Sequence, residues 1–183
     1  LIKKSLKAGI KKFIIAGTCF EYGKSSNDYD YIPVNAPLNP VGSYPVSKAM
    51  FYHAVMETLN SCNVDYIYCR FFQVYGLGED PQRLYPSLIR AAKNNEDFIM
   101  SSGTQERDFI EVQELVSELI NLCQLIYNEK KEVKKIINIG NGVGVKVKDF
   151  ALDLWLKNKA NGKLILKGKP LKSTDFKRIV AKI

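Results

Sequence analysis

The stretch KKFIIAGTCFEYG, residues 11–23, decides the fold class of this chain. Its apolar run from Phe13 to Ala16 stops at Gly17, which is the pattern of a buried strand in a parallel sheet. A hydroxyl residue, Thr18, follows directly. Because α/β sheets bind ligands beyond the carboxyl ends of their strands, Thr18 lies where a site is expected.

Helices and strands alternate on both sides of this run. Apolar residues at helical spacing predict a helix over residues 1–8, which Gly9 ends. After a loop rich in Ser, Asn, Asp and Pro, a helix begins with Pro45 in its first turn and runs to about Asn60. Residues 65–72 then predict a second strand. The alternation indicates a doubly wound parallel α/β sheet, of which two strands can be identified.

The second half of the chain has smaller and more mixed elements. We predict helices over 84–93, 111–128 and 147–156, and short strands over 98–100 and 136–139. Gly140, Gly142 and Gly144 lack the spacing of a phosphate-binding loop, so they predict a turn with positive φ angles.

The composition is that of a globular protein. The 183 residues are 46% hydrophobic and 25% charged, and no apolar run is long enough for a transmembrane helix, so no membrane partner is expected. The net charge of +8 invites a nucleic-acid interpretation, but the lysines are spread along the chain without an aromatic-interleaved basic stripe. We therefore expect a solvated lysine-rich surface and no nucleic-acid partner.

The four cysteines, Cys19, Cys62, Cys69 and Cys123, have no metal-ligand spacing, so no metal site is expected. Their scatter favours free thiols, some of them buried, over a disulfide framework. Free thiols are typical of a reducing compartment, and the expected location is the cytoplasm.

The segment Tyr44-Pro45-Val46-Ser47-Lys48 carries the sharpest chemical signal. Residues four apart on a helix lie on one face, one turn apart, so Lys48 is expected beside Tyr44. A nearby ammonium favours the phenolate and lowers the pKa of a tyrosine from about 10 toward neutrality. Tyr44 could then exchange a proton with a carbinol or carbonyl oxygen. The alternative is a solvated pair on a helix surface.

Thr18 could donate a hydrogen bond to the same oxygen, because it stands at the carboxyl end of the preceding strand. The alternative is a residue at a strand end whose hydroxyl bonds its own backbone.

These motifs occur together with others in a recognisable order. The chain resembles the NAD-dependent epimerase/dehydratase family, the extended short-chain dehydrogenase/reductases that act on nucleotide sugars. The resemblance extends from about residue 1 to 155 and rests on the blocks 17–23, 44–48, 69–76, 104–110 and 137–147.

The resemblance implies NAD or NADP as cofactor, a nucleoside-diphosphate sugar as substrate, and roles for seven residues. The catalytic residues would be Thr18, Tyr44 and Lys48; the cofactor-binding residues Gly17, Tyr44, Lys48 and Phe71; and the substrate-binding residues Thr18, Gln73 and Arg107. A guanidinium can hold diphosphate oxygens bidentately, which suits Arg107. Alternatively, Arg107 pairs with Asp108 or Glu111 on the surface. Gln73 replaces the asparagine usual in the family.

The implied fold is the C-terminal part of a Rossmann-type doubly wound parallel sheet plus a smaller mixed α/β substrate-binding subdomain. Residues 1–76 would form part of the NAD(P)-binding region and residues 77–183 mainly the nucleotide-sugar-binding subdomain. The strand and helix at about 135–156 either belong to this subdomain or are interleaved with the NAD(P)-binding region. No G-x-G-x-x-G motif occurs, so the resemblance implies that roughly a hundred residues precede Leu1. We expect these 183 residues to be inactive alone, and the intact protein to be a homodimer.

The residues after Thr18 narrow the expected reaction. Family members that act as 4,6-dehydratases carry an Asp-Glu pair there, whereas this chain has Cys19 and Phe20. An epimerase or a 4-keto reductase with hydride transfer at a sugar carbon, C4, is therefore expected. The sequences of residues 17–23 and 96–98 resemble those of the family's 4-keto-6-deoxy-sugar reductases, which favours the reductase slightly. The alternative from another class is a non-catalytic dinucleotide-sensing or scaffold protein on the same fold.

Overall fold

A computed structural model of the chain describes residues 1–167 and 176–183. The part of the predicted second subdomain that falls on 168–175 lies outside the described residues. The helices are α1 (Ile2–Lys7), α2 (Ser43–Asn60), α3 (Leu84–Asn94), α4 (Val112–Asn128) and α5 (Val147–Lys157). The strands are β1 (Lys12–Thr18), β2 (Asp65–Phe71), β3 (Gln73–Tyr75), β4 (Phe98–Ser101), β5 (Glu106–Glu111), β6 (Lys134–Ile139), β7 (Gly144–Lys146), β8 (Leu164–Lys167) and β9 (Arg178–Ile179).

The main sheet is parallel and has the order β1-β2-β6 in the described part of the chain. At the carboxyl ends, Gly17 lies beside Arg70, and Arg70 lies beside Asn138. The expected parallel α/β class is confirmed, but the expectation of two strands is wrong. The third strand, β6, comes from far along the chain, and local sequence patterns do not show which distant strands pair.

Helices cover both faces of this sheet, so a central strand can be apolar on both sides. On one face Tyr66 and Tyr68 of β2 pack in a cluster with α2, which contributes Val55, Met56 and Leu59. On the other face Ile67 and Cys69 pack with α4, which contributes Leu115, Leu122 and Ile126. Truncating such a buried aliphatic side chain to alanine typically costs about 2–5 kcal/mol of stability.

Smaller sheets follow the main one. Strand β5 pairs with β3 and β9 in parallel and with β7 antiparallel, while β4 and β8 form a separate parallel pair. A third core holds α3 and α5 together, with Leu88, Ala151 and Trp155 buried in it. This is the mixture of short elements that the sequence indicates. The division at residue 76 stays a prediction.

The glycine turn after β6 differs from its prediction. Gly142 has the expected positive φ, 68°, whereas Gly140 and Gly144 do not. Those two are restricted by space instead: a Cβ on Gly140 would lie 2.6 Å from Asp108 Oδ2, and one on Gly144 would lie 2.6 Å from an Arg178 guanidinium nitrogen. Both positions are glycine because a side chain packs directly against the backbone.

All four cysteines are free, and Cys19 and Cys69 are buried, so the prediction of partly buried free thiols is confirmed. No helix within residues 1–167 and 176–183 combines the length and hydropathy that a bilayer crossing requires.

Candidate active site

Thr18 ends β1 and caps a single turn of 3-10 helix, Cys19–Glu21. Its Oγ1 accepts the Phe20 N–H at 3.4 Å, and its own N–H donates to Glu21 Oε1 at 2.9 Å. These reciprocal bonds form a capping box, which fixes the backbone where the strand ends. The local backbone contact that was the alternative for Thr18 is therefore present, and its role toward a substrate stays a prediction.

Lys48 connects α2 to the same strand end. Its Nζ donates to the Ala16 carbonyl oxygen at 3.0 Å and lies 5.4 Å from the centre of the Phe51 ring. The helix is thereby held beside β1, two residues before Thr18. Tyr44, one turn earlier on α2, leaves 56% of its surface exposed. The hydrogen bonds among the described residues do not link the Tyr44 phenol to Thr18.

Gly17 and Phe71, both predicted to contact the cofactor, lie on adjacent strands at this edge, where Phe71 pairs with Thr18. Gly17 has no room for a side chain, because a Cβ there would lie 2.3 Å from the Tyr68 ring. Phe71 is partly buried and packs against the cluster under α4. The structure thus explains Gly17 by packing, and the cofactor role of both residues stays a prediction.

Gln73 and Arg107, the two residues predicted to bind substrate outside the main sheet, line one cavity of about 360 Å³. Aromatic side chains form much of its wall: Tyr75, Tyr85, Phe109 and Phe150. Arg107 Nη1 donates to the backbone carbonyls of Glu106 at 2.7 Å and Phe176 at 2.9 Å. Arg107 is also buried, so the alternative of a surface position is wrong.

Asp108, next to Arg107, organises this region and was missed in the sequence. Its fully buried carboxylate accepts the N–H groups of Asn141 at 2.7 Å, Gly142 at 3.0 Å and Ala181 at 3.0 Å. It therefore joins β5 to the turn after β6 and to the C-terminal segment.

A buried ion pair supports the carboxyl end of the main sheet, and it was also missed. Glu21 and Arg70 have side chains 0% and 2% exposed, and Arg70 Nε donates to Glu21 Oε2 at 2.8 Å. A further donor to Glu21 is the Tyr68 hydroxyl, at 2.8 Å from Oε1. The sequence did contain a signal for this pair: Arg70 falls within a strand expected to be buried on both faces. Because a buried charge requires a partner, an acidic residue was to be expected beside it.

Tyrosine rings surround this ion pair. The Arg70 guanidinium lies 4.9 Å from the ring centre of Tyr22 and 4.6 Å from that of Tyr52. Arg70 Nη1 bonds the Tyr22 hydroxyl, which in turn donates to Asn138 Oδ1 at 2.6 Å. Burial, and after it the Glu21 carboxylate, raises the pKa of Tyr68. Tyr68 therefore keeps its proton and acts as a hydrogen-bond donor.

The two residues after Thr18 offer no acid–base group. Burial raises the pKa of the Cys19 thiol to about 12, so it is neutral at physiological pH. Phe20 packs against an apolar cluster that contains Cys19 and Tyr22.

Comparison with known proteins finds relatives that share part of this chain. It is 27% identical over 165 residues to UDP-arabinose 4-epimerase 1 of Arabidopsis thaliana, covering 78% of this chain and 38% of that protein. It is 28% identical over 152 residues to dTDP-D-glucose 4,6-dehydratase of Dictyostelium discoideum, covering 78% and 34%. The chain thus spans less than half the length of either relative.

Solved structures share the fold. The UDP-N-acetylglucosamine 4-epimerase of Methanobrevibacter ruminantium M1, solved with UDP-N-acetylmuramic acid, matches with a TM-score of 0.84 at 23% identity. That match covers all of this chain and 57% of the other. At this identity the likeness concerns the fold alone.

A family model described as the NAD dependent epimerase/dehydratase family matches residues 1–140. The matched range contains all seven residues predicted to be catalytic, cofactor-binding or substrate-binding, and it confirms the resemblance found in the sequence motifs. The chain belongs to the NAD-dependent epimerase/dehydratase family.

Proposed function

We propose that the intact protein is an NAD(P)-dependent enzyme that transfers hydride at a sugar carbon, C4, of a nucleoside-diphosphate sugar, as an epimerase or a 4-keto reductase. The observation that carries this proposal is the bond from Lys48 Nζ to the Ala16 carbonyl. This bond holds helix α2, which carries Tyr44, against the end of strand β1, which carries Thr18. The relatives, named as epimerases and a dehydratase of nucleotide sugars, supply the substrate class.

The carboxyl edge of the main sheet fits a nicotinamide nucleotide. An exposed phenol on Tyr44 and the ammonium of Lys48 stand at this edge, and both suit the hydroxyl groups of a ribose. Gly17 and Phe71 would border the nicotinamide. When bound, NAD(P) supplies or accepts the hydride.

Proton transfer is assigned to this chain's own side chains. Tyr44 gives a proton to, or takes one from, the reacting sugar oxygen, and Lys48 carries its ammonium one turn away on the same helix. Lys48 has three N–H donors and uses one on Ala16, so donors remain for a ligand. The Thr18 hydroxyl oxygen accepts the Phe20 N–H through a lone pair, so its O–H would donate to the reacting oxygen without loss of that contact.

Substrate binding is assigned to the cavity between the smaller elements. Arg107 stands in its wall with two backbone carbonyls fixing one guanidinium nitrogen, so the side chain is oriented before a ligand arrives. It would hold the diphosphate, and the Gln73 amide would bond the sugar. Water elimination is disfavoured, because a neutral buried thiol and a phenyl ring follow Thr18.

The test is an assay of the full-length protein with a panel of nucleotide sugars and with NADH or NADPH followed by absorbance. Stoichiometric oxidation with a 4-keto sugar identifies a reductase and its cofactor, whereas an inverted product without net oxidation identifies an epimerase. Tyr44→Phe should abolish turnover and leave cofactor binding intact. Turnover that survives this substitution contradicts the assignment of Tyr44, and a wild-type protein that binds the cofactor but turns over no sugar of the panel points to the sensor alternative.

We further propose that the working form is a cytoplasmic homodimer. The outer face of α2 leaves Met50 68% and Phe51 41% exposed, which is a large apolar surface for a helix beside an active site. Light scattering of the full-length protein tests this, and a monomer at micromolar concentration contradicts it.

A further inference from the structure

Tyr68 supports the strand end that carries Thr18. It lies in the central strand β2, fully buried, and its ring occupies the space beside Gly17 in which a side chain would otherwise stand. Any shift of this ring therefore changes the room available to the end of β1.

The Tyr68 hydroxyl is linked to Thr18 through one carboxylate oxygen. Glu21 Oε1 accepts the Tyr68 O–H at 2.8 Å and the Thr18 N–H at 2.9 Å. Because Tyr68 keeps its proton, this donation persists over the pH range of enzyme assays. Removing the hydroxyl would leave Glu21 with one donor fewer and the capping turn less fixed.

The other edge of the Tyr68 ring contacts α2. Its centre lies 4.9 Å from that of Tyr52, with the rings at 69° to each other. Tyr52 follows Lys48 by one turn, so it shares a helix face with Lys48 and Tyr44. Arg70 reinforces the link, since it bonds Glu21 and also stacks on Tyr52.

We propose that Tyr68, held by Glu21 and Arg70, is a positioning residue that sets the spacing between Thr18 on β1 and the Tyr44–Lys48 face of α2. From inside the sheet, the fully buried Tyr68 lies against Gly17 of β1 and Tyr52 of α2, the neighbours of Thr18 and of the Tyr44–Lys48 face. A displacement of about 1 Å between reacting groups can lower a rate about a hundredfold, so a support of this kind affects turnover. For its kinetic consequence the inference rests on the proposed function.

Tyr66 provides a matched control on the same strand. It lies two residues earlier on the same face and in the same cluster, and its hydroxyl donates to Asn60 Oδ1 at 2.7 Å, at the opposite end of the strand. Tyr66→Phe and Tyr68→Phe each remove one hydroxyl and one hydrogen bond. We expect Tyr68→Phe to lower the melting temperature more, because its hydroxyl donates to a buried carboxylate and that of Tyr66 to a neutral amide, so turnover is compared at a temperature where both full-length variants are folded.

Turnover should separate the two variants. In Tyr68→Phe we expect kcat to fall about tenfold with KM for the nucleotide sugar within about twofold of wild type, because ground-state binding at Arg107 is unaffected. In Tyr66→Phe both constants should stay at wild-type values. Equal kcat in the two variants overturns the positioning role and leaves Tyr68 as packing.

A second measurement does not depend on turnover. With 3-fluorotyrosine placed at position 44, the ¹⁹F signal should shift or broaden in Tyr68→Phe and stay unchanged in Tyr66→Phe. No change in either variant overturns the proposal. A change in Tyr68→Phe alone, in a protein that turns over no nucleotide sugar, upholds the positioning of Tyr44 and contradicts the proposed function.

Discussion

At the scale of single residues, the carboxyl end of the main sheet is organised around a buried ion pair. Glu21 receives donors from Thr18, Tyr68 and Arg70, so the charge is fully compensated. In such pairs the net contribution to stability is small, whereas loss of one partner leaves an unpaired buried charge. The pair is therefore a point of high sensitivity to substitution.

The first prediction concerns Arg70→Met. Removing the guanidinium strands the Glu21 carboxylate in the core, and we expect a loss of about 3–5 kcal/mol in the free energy of unfolding, measured by urea denaturation. The control is Lys157→Met, which breaks the exposed pair with Asp153 and should cost no more than about 1 kcal/mol. Similar losses in the two variants would contradict the account of the ion pair.

The second prediction concerns Gly17→Ala. The added Cβ would lie 2.3 Å from the Tyr68 ring, so the ring or the strand must move, and overpacking of this kind costs about 1–3 kcal/mol. Combining it with Tyr68→Leu should cost less than the sum of the two single changes, because the clash is relieved. An additive double-mutant cycle, measured by the same denaturation, would show that the two positions do not meet.

At the scale of elements, the long helices and the apolar strands follow from sequence periodicity. Helix α2 extends over Ser43–Asn60, close to the predicted bounds, and β2 over Asp65–Phe71. The strands β3, β7 and β9 have two or three residues each, which is too few for a periodic signal. The pairing of β6 with β2 depends on tertiary packing, and so does the pairing of Glu21 with Arg70. Sequence patterns therefore identify the candidate site residues better than they identify the buried contacts that hold those residues in place.

The third prediction tests the docking of α2 through Lys48→Met. Loss of the bond to Ala16 should cost about 1 kcal/mol of stability and abolish turnover of the full-length protein. Lys12→Met is the control, because its Nζ also donates to backbone carbonyls of another element, those of Ile126 and Tyr127, at the opposite end of β1. It should cost similar stability and retain turnover. Turnover lost equally in both variants would mean that general destabilisation explains the effect.

At the scale of the whole molecule, burial keeps two thiols and several tyrosines of the core in their neutral form. Burial raises the pKa of the Cys19 and Cys69 thiols to about 12, and it also raises the pKa of Tyr22 and Tyr68. In the unfolded chain a thiol titrates near 9. Below that pH both states are protonated and the contribution to stability is complete. As the pH rises toward about 12 the unfolded state ionises first, so stability is lost.

The fourth prediction follows from this linkage. The melting temperature of the wild type should fall steadily between about pH 9 and about pH 11. Cys69→Ala should show a shallower fall, because one of the groups that ionise only on unfolding is gone. Cys123→Ala removes an exposed thiol and should keep the wild-type slope. Parallel slopes in all three proteins would contradict the role of the buried thiols.

The order of strands in the main sheet also has a kinetic consequence. Residues 72–133 lie between two strands that are neighbours in the main sheet, since Tyr66 of β2 pairs with Lys134 of β6. Closing so long a loop has an entropic cost, and contacts between residues distant in sequence slow folding. The main sheet is complete only when this segment, with Arg107 in it, has brought β6 beside β2. During biosynthesis the cavity lined by Gln73 and Arg107 and the third strand of the main sheet should thus form late, and a chain interrupted before residue 134 would present neither.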